Sequence, residues 1–303
     1  MAFDATAKLT KDTLKELPPL CSDGAWGTEM AKRGAKPGQM CDTWNVDEPD
    51  KVFEVAKAYV EAGAQVILTN TFNSNRIVLA KHNIADKAFA LSKAGAELSK
   101  RAAAGRAYVF ASIGPCGKMV MMGEVLPDEV EAAAAEQAKA LAEGGADAIV
   151  VETQSDLVEA EAALKGVASA VDIPFGTTFT FDAGASNDMT MMGVSIPQVY
   201  ELAQRSECSF VGANCGAGIE TFVNIAQQFT ACGSDIPIWV KGNAGQPEID
   251  GSGQTVYKAP PEMYVNCVEP LLAAGAKFIG GCCGSSPVHI RAVAAKMAEV
   301  LGA

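Results

Sequence analysis

The chain has 303 residues, of which 49% are hydrophobic and 20% charged, the composition of a globular protein with ample material for a core. Its formal charge of −12 at pH 7 argues against a nucleic-acid partner, because an acidic surface repels the phosphate backbone. The sequence contains no apolar run of the roughly 18 residues that span a membrane, and residues 1–17 lack the apolar core of a signal peptide. We therefore expect a cytoplasmic protein with no membrane association, whose nine cysteines are reduced.

Strand-like apolar runs recur along the chain. In 61–71, 143–153 and 273–283, a helical stretch ends at glycine and a run suited to a strand buried on both faces follows. Extended to the whole sequence, this pattern predicts strands at 19–23, 65–70, 108–113, 148–153, 175–181, 210–215, 237–243 and 278–283. A helical segment follows each strand, with clear examples at 50–63, 127–145 and 287–302.

Eight strands that alternate with helices predict an α/β fold of the (β/α)8 TIM-barrel type. Alternation alone also fits a doubly wound parallel sheet, but the count of eight favours the barrel. No linker or change of composition divides the chain, so we expect a single domain over residues 1–303. Residues 1–18 are expected to form an N-terminal extension with a small helix that covers the bottom of the barrel.

The active site of such a barrel lies where the strands end, at the carboxyl-terminal face. Residues far apart in sequence are thereby expected to meet at one mouth. The predicted strand ends carry Asp23, Gly24, Thr69, Asn70, Thr71, Gly114, Glu152, Thr153, Asn214, Cys215, Asn243, Cys282 and Cys283.

Three of these residues are cysteines. Cys215 ends the sixth predicted strand, and Cys282 and Cys283 end the eighth. Three thiolates with one exchangeable position suit a catalytic zinc ion, and the glycines around the adjacent pair allow both side chains to face one point. Two alternatives remain at this stage: three buried thiols that bind nothing, and a strained disulfide between Cys282 and Cys283.

Seven short motifs, spread over nearly the whole chain and in a consistent order, resemble those of the zinc-dependent homocysteine S-methyltransferases. The motifs are DGAWGTEM (23–30), TNTFNSN (69–75), IGPCGK (113–118), VVETQSD (150–156), GANCG (212–216), VKGNAGQP (240–247) and GGCCGSSPVHI (280–290). The double cysteine together with the earlier NCG is the most specific of these features. The family includes betaine-dependent and S-methylmethionine-dependent enzymes and the homocysteine module of cobalamin-dependent methionine synthase.

The resemblance implies one zinc ion per chain, with Cys215, Cys282 and Cys283 as its ligands and as the catalytic centre. Asn243 matches a position that supplies a fourth, exchangeable oxygen ligand in some members. The family usually has proline where this chain has Gly242.

The resemblance also implies the acceptor, L-homocysteine, whose methylation gives methionine. Glu152 matches the family's glutamate for the substrate ammonium group, and Asp23 with Gly24 matches another substrate-binding position. Asn70 and Asn214, which end strands at the same mouth, complete the expected substrate contacts.

The methyl donor is less clearly indicated. No aspartate stands two residues before His82 or His289, so a cobalamin-binding D-x-H-x-x-G motif is absent and both histidines are interpreted as structural. A second barrel for methyltetrahydrofolate is not expected, and GSG at 251–253 is interpreted as a loop and not as a nucleotide-binding turn.

Residues 114–130 are closer to the methionine-synthase module than to the S-methylmethionine branch, which favours methylcobalamin carried by a partner corrinoid protein. Betaine, S-methylmethionine and S-adenosylmethionine remain alternative donors. The methionine-rich runs at 119–122 and 189–192 are expected in loops at the mouth, as an adaptable docking surface or as lid packing.

Two further alternatives remain open. The chain could be a non-catalytic zinc- or thiol-binding regulatory protein, or its acceptor could be another thiol or a selenol. The sequence does not indicate the oligomeric state, so a homo-oligomer stays open.

Overall fold

The computed structural model describes residues 3–233, 235–251 and 255–302. Residues 1 and 2 of the expected N-terminal extension and residues 252–253 of the predicted loop therefore lie outside the described part. The strands are β1 (Leu20–Cys21), β2 (Val66–Ile67), β3 (Tyr108–Ile113), β4 (Ala148–Gln154), β5 (Phe175–Phe179), β6 (Phe210–Gly218), β7 (Ile238–Asn243), β8 (Glu248–Ile249), β9 (Thr255–Val256) and β10 (Ala276–Gly281).

Strands β1 to β7 and β10 form one eight-stranded sheet in the order β1-β10-β7-β6-β5-β4-β3-β2. All of its pairs are parallel. The two outer strands in this order meet through a parallel bridge between Ser22 and Val66, and the Gln65 amide donates to the Cys21 carbonyl at 2.7 Å. The sheet thus closes on itself, and the predicted (β/α)8 barrel is confirmed.

One short helix precedes β1, and helices follow every barrel strand, with extra short helices after β1 and β2. They are α1 (Lys11–Glu16), α2 (Trp26–Lys32), α3 (Trp44–Asp47), α4 (Pro49–Glu61), α5 (Arg76–Ala80), α6 (Ala88–Ala103), α7 (Pro127–Glu143), α8 (Leu157–Ala170), α9 (Ile196–Arg205), α10 (Phe222–Cys232), α11 (Pro261–Ala273) and α12 (Pro287–Leu301). Proline opens α4, α7, α11 and α12, at a position where its missing N–H costs no helical hydrogen bond. Within the described residues, none of these helices has both the length and the apolar character needed to cross a bilayer.

A small antiparallel hairpin, β8 paired with β9, stands apart from the barrel. The sequence does not indicate it, because each strand has only two residues and both are largely exposed. It belongs to the loop that follows β7 on the side of the mouth.

An aromatic plug fills the barrel interior toward its bottom. It consists of Phe110, Phe210, Trp239 and Phe278, all buried, with ring centroids 5.2 to 5.9 Å apart in every pair. Leu9 and Leu14 of the N-terminal segment pack in the same cluster from below. The interior is therefore closed at the bottom, and polar side chains occupy it only nearer the mouth.

Candidate metal centre and acceptor pocket

The three predicted cysteines meet at the mouth. The Sγ atoms of Cys215, Cys282 and Cys283 all lie within 4.8 Å of one another, and those of Cys215 and Cys283 are 3.9 Å apart. Cys215 belongs to β6 and the pair follows β10, with β7 between those strands, so the curvature of the barrel brings the thiols together. All nine cysteines are free thiols in this structure, Cys282 and Cys283 included.

Local backbone distortions aim the thiols at one point. Cys215 has a left-handed backbone with φ of 65°, and the register between β6 and β7 shifts between Cys215 and Gly218. Such a bulge redirects a side chain that a regular strand would send elsewhere. After the cysteine pair, Gly284 with φ of 81° reverses the chain, and the Ser285 amide donates to the Cys282 carbonyl at 3.0 Å. The predicted glycine bend is therefore present.

The thiols are strongly coupled to one another. The contact with Cys215 is the main cause that raises the pKa of Cys282 to about 12, and burial adds to it. For Cys215, the hydrogen bond with Cys282 lowers the pKa, but Cys283 and burial outweigh it and raise the pKa to about 11. At neutral pH these groups stay protonated until a cation binds.

The geometry and the donor set fit a zinc ion. Zinc–sulfur bonds of about 2.3 Å in a tetrahedron place sulfurs about 3.8 Å apart, close to the separation of Cys215 and Cys283. Asn243 offers a further donor: its Oδ1 is buried and has no hydrogen-bond partner among the described residues, although its Nδ2 donates to the Gly216 carbonyl at 2.8 Å. A buried amide oxygen without a partner is costly unless a ligand completes it, so Asn243 suits the fourth position.

Gly242 joins the asparagine to the cysteine pair. Its carbonyl accepts from the Cys282 amide at 2.7 Å and from the Tyr264 hydroxyl at 2.8 Å. Two residues further on, the Ala244 amide donates to the Cys283 carbonyl at 2.9 Å. A Cβ at position 242 would lie 2.6 Å from the Cα of Ile219. Glycine is thus required here by close packing.

Glu152 is buried in the barrel interior, on the other side of Asn214 from Cys282. Ser112 donates to its Oε1, and Asn214 Nδ2 lies 3.2 Å from its Oε2 and 4.0 Å from Cys282 Sγ. Burial raises the pKa of Glu152, and the nearby Lys241 ammonium opposes that rise. The register shift between Val151 and Gln154 places this carboxylate at a bulge, as in β6. Asn214 therefore connects the carboxylate to the metal centre.

The contacts of Asp23 differ from the substrate-binding role that the resemblance implies. Its Oδ2 accepts from Trp26 Nε1 and from the Leu68 amide, both at 2.8 Å, and its Oδ1 forms an ion pair with Lys241. Both oxygens are engaged, so Asp23 has internal partners. Sequence reasoning missed Lys241, although alternation along 237–243 places Trp239 and Lys241 on one face and could have indicated it.

The first loop is anchored to the cysteine turn. The Ser285 hydroxyl accepts from the Ala25 amide at 3.1 Å and donates to the Cys282 carbonyl at 2.7 Å. Gly24 packs so closely on Ser285 that an added Cβ would lie 2.8 Å from its Oγ. Asn70 Nδ2 donates to the Cys41 carbonyl at 2.8 Å and to Asn45 Oδ1 at 3.0 Å. These bonds hold the loop after β1.

The two histidines take no part in the cysteine cluster. His289 Nδ1 contacts Ser286 Oγ at 2.9 Å, and its Nε2 contacts the Ala259 carbonyl at 3.0 Å. His82 is exposed in the turn after α5. Both positions agree with the structural role expected from the sequence.

Comparison with known proteins identifies the family. A model described as homocysteine S-methyltransferase matches residues 20–297. Methionine synthase of Mycobacterium tuberculosis is 29% identical over 93% of this chain, and that of Mycobacterium leprae is 30% identical over 92%. The chain spans about a quarter of the length of these curated relatives, 25% and 24% respectively.

Solved structures show the same fold. The metallated form of the Escherichia coli homocysteine methyltransferase MmuM has a TM-score of 0.77 at 23% identity, with 94% of this chain and 98% of that chain covered. A methyltransferase from Methanosarcina mazei has a TM-score of 0.63 at 13% identity, over 97% and 99% of the two chains. Because the family model covers nearly the whole barrel, this chain belongs to the homocysteine S-methyltransferase family.

Proposed function

We propose that the protein is a zinc-dependent enzyme that transfers a methyl group to the thiol of L-homocysteine and forms methionine. The observation that carries this proposal is the meeting of three thiols within 4.8 Å of one another, with Asn214 between Cys282 Sγ and the buried Glu152. Family membership supports the acceptor, and the names of the mycobacterial relatives support the product.

Different site residues would bind the zinc ion and the acceptor. Cys215, Cys282 and Cys283 would hold the zinc ion, and Asn243 would occupy the position that the acceptor sulfur takes. When bound, zinc supplies a Lewis acid that keeps a thiol ionised at neutral pH. Glu152 would pair the ammonium group of the acceptor and so fix its orientation at the mouth. With the acceptor thiol ionised in this way, the methyl transfer would need no histidine base.

We propose that the donor is a methylcorrinoid held by a partner protein. The support is the distribution of exposed large hydrophobic side chains. Among the described residues, those at the mouth side of the barrel are Val46, Met119, Met121, Met122, Leu126, Val158, Met189, Met191, Ile249 and Val288. A small donor needs no such apolar rim, whereas a docked protein does. Small-molecule donors, namely betaine, S-methylmethionine and S-adenosylmethionine, remain the alternative.

A donor assay tests the proposal. The protein is loaded with zinc, its zinc content is measured, and methionine is quantified after incubation with homocysteine and each donor in turn. We expect methionine from free methylcobalamin and none from betaine, S-methylmethionine or S-adenosylmethionine. Turnover with one of these three compounds would identify that compound as the donor and contradict the corrinoid proposal.

The matched control is a Cys215→Ser variant assayed beside Cys232→Ser, which changes a thiol outside the site. Only the first should lose activity. If the wild type holds stoichiometric zinc but stays silent with every donor, including a methylcorrinoid protein, the proposed activity is wrong and a regulatory role is favoured.

A further inference from the structure

Lys241 is a buried cation in the barrel interior. Its side chain is 3% exposed, and its Nζ forms an ion pair with Asp23 Oδ1. An ammonium group carries three protons, and among the described residues the Nζ has one hydrogen-bond acceptor, Asp23. Since Trp26 and Leu68 hold the other Asp23 oxygen, the pair is fixed and two protons of Lys241 remain for a ligand.

The position of Lys241 places its ammonium group next to the aromatic plug. The Nζ lies 5.9 Å from the ring centroid of Trp239, the residue of the aromatic plug two positions earlier in β7. Lys241 is also the register partner of Asn214, whose amide lies 3.2 Å from Glu152 and 4.0 Å from Cys282 Sγ. Lys241 and Asn214 are thus neighbours on adjacent strands, and Asn214 reaches both the Glu152 carboxylate and Cys282 Sγ.

The charges of Asp23, Lys241 and Glu152 complement those of an α-amino acid. Asp23 and Lys241 neutralise each other, which leaves the charge of Glu152 for the ligand. An α-amino acid bears its ammonium and carboxylate on one carbon, so a cation close to an anion can pair both groups. Without Lys241, the acceptor carboxylate would face two buried carboxylates of like charge, which is unfavourable.

We propose that Lys241 is a specificity-determining residue that pairs the carboxylate of the acceptor, while Glu152 pairs its ammonium group. This inference rests on the proposed function, since it assumes that the pocket above the plug takes a thiol amino acid. It assigns a recognition role to a residue that otherwise serves only to neutralise Asp23.

Calorimetric binding of three thiols to the zinc-loaded protein, without any donor, tests the assignment. The thiols are L-homocysteine, 3-aminopropane-1-thiol, which lacks the carboxylate, and 4-sulfanylbutanoate, which lacks the ammonium group. The variants are Lys241→Met and the double variant Asp23→Asn/Lys241→Met, which leaves no unpaired buried charge if the single variant folds poorly. Lys258→Met, an exposed lysine on the mouth side, is the control.

In the wild type, homocysteine should bind more tightly than the carboxylate-free thiol. In both Lys241 variants this preference should fall by about 10- to 100-fold, the weight of a hydrogen bond to a charged group. The Lys258 variant should keep it. A double variant that folds and retains the full preference overturns the role of Lys241. If none of the thiols binds the wild type, the proposed function itself is wrong and the assignment falls with it.

Discussion

At the scale of single residues, Cys215 shows how the site depends on an unfavourable backbone. A non-glycine residue in the left-handed region costs about 1–2 kcal/mol, and Cys215 and Thr153 both adopt it beside bulges that carry the thiol and Glu152. Such outliers cluster at functional sites, where the surrounding structure holds them. Here the strain places a thiol and a carboxylate in the barrel interior, where regular strands would not.

The raised thiol pKa values predict proton release on zinc binding. Because Cys215, Cys282 and Cys283 titrate near 11 or 12, they are protonated at pH 7 and must each lose a proton to become thiolates. We expect about three protons per zinc ion, measured as the dependence of the calorimetric heat on buffer ionisation enthalpy. Zinc affinity should accordingly rise with pH over the neutral range.

Two serine variants sharpen this measurement. Cys215→Ser should release one proton fewer and bind zinc at least about 100-fold more weakly, because a thiolate ligand is lost. Cys232→Ser changes a half-buried cysteine in α10, away from the cluster, and should match the wild type. Equal proton release from all three proteins would show that zinc does not bind through these thiols.

The positions of the cysteines, Glu152 and Asn243 could be predicted from the sequence, because each ends a recognisable strand. Alternation along β7 could have indicated that Lys241 shares a face with Trp239, but its pairing with Asp23 could not be predicted. The closed barrel brings these two residues together, and long-range pairs of this kind leave no local pattern. The engagement of Asn70 with Asn45 escaped prediction for the same reason.

At the scale of elements, β7 is the strand on which the site depends most closely. It carries Lys241 and Asn243, and Gly242 between them packs on the backbone of Ile219. We expect Gly242→Ala to lower the free energy of unfolding by about 2–3 kcal/mol, because the added methyl group meets backbone that cannot move freely. Zinc affinity should fall as well, since Asn243 would shift.

Gly27→Ala is the matched control for this prediction. Gly27 lies in α2, is exposed, and an added Cβ there would have no heavy atom within 4 Å. Alanine should stabilise that helix by about 0.5–1 kcal/mol. Chemical denaturation of the three proteins measures both effects, and a Gly242 variant as stable as the wild type would contradict the packing argument.

Buried elements could be predicted from the sequence, and exposed ones could not. The barrel strands were recognisable because they are apolar on both faces, although β1 and β2 are shorter than predicted, at two residues each. The hairpin of β8 and β9 was not, because short exposed strands carry neither alternation nor an apolar run. The end of α4 at Glu61, two residues before Gly63, follows from the glycine signal in the sequence.

At the scale of the whole molecule, the two ends of the barrel differ in surface character. Met121 and Met191 at the mouth are 70% and 74% exposed, whereas Val300 and Leu301 stand at the end of α12, on the opposite side. We expect Met121→Lys/Met191→Lys to slow methyl transfer from a corrinoid protein by about 10-fold or more, because charge disrupts an apolar contact. Turnover with free methylcobalamin should change far less.

The control for this surface is Val300→Lys/Leu301→Lys, which adds the same charge at the other end. It should leave both rates unchanged. An equal effect of the two double variants would assign the loss to net charge, and docking at the mouth would then be wrong.

The aromatic plug closes the bottom of the barrel, so that the thiols are reached from the mouth. Because four packed rings and the N-terminal segment close the far end, whatever reaches the thiols must come and go through the mouth. Under the proposed function, homocysteine bound beside Glu152 would enter before a bulky donor docks at the mouth, and methionine would leave only after that donor dissociates. Steady-state kinetics should therefore follow a compulsory order, with the acceptor first on and the methylated product last off.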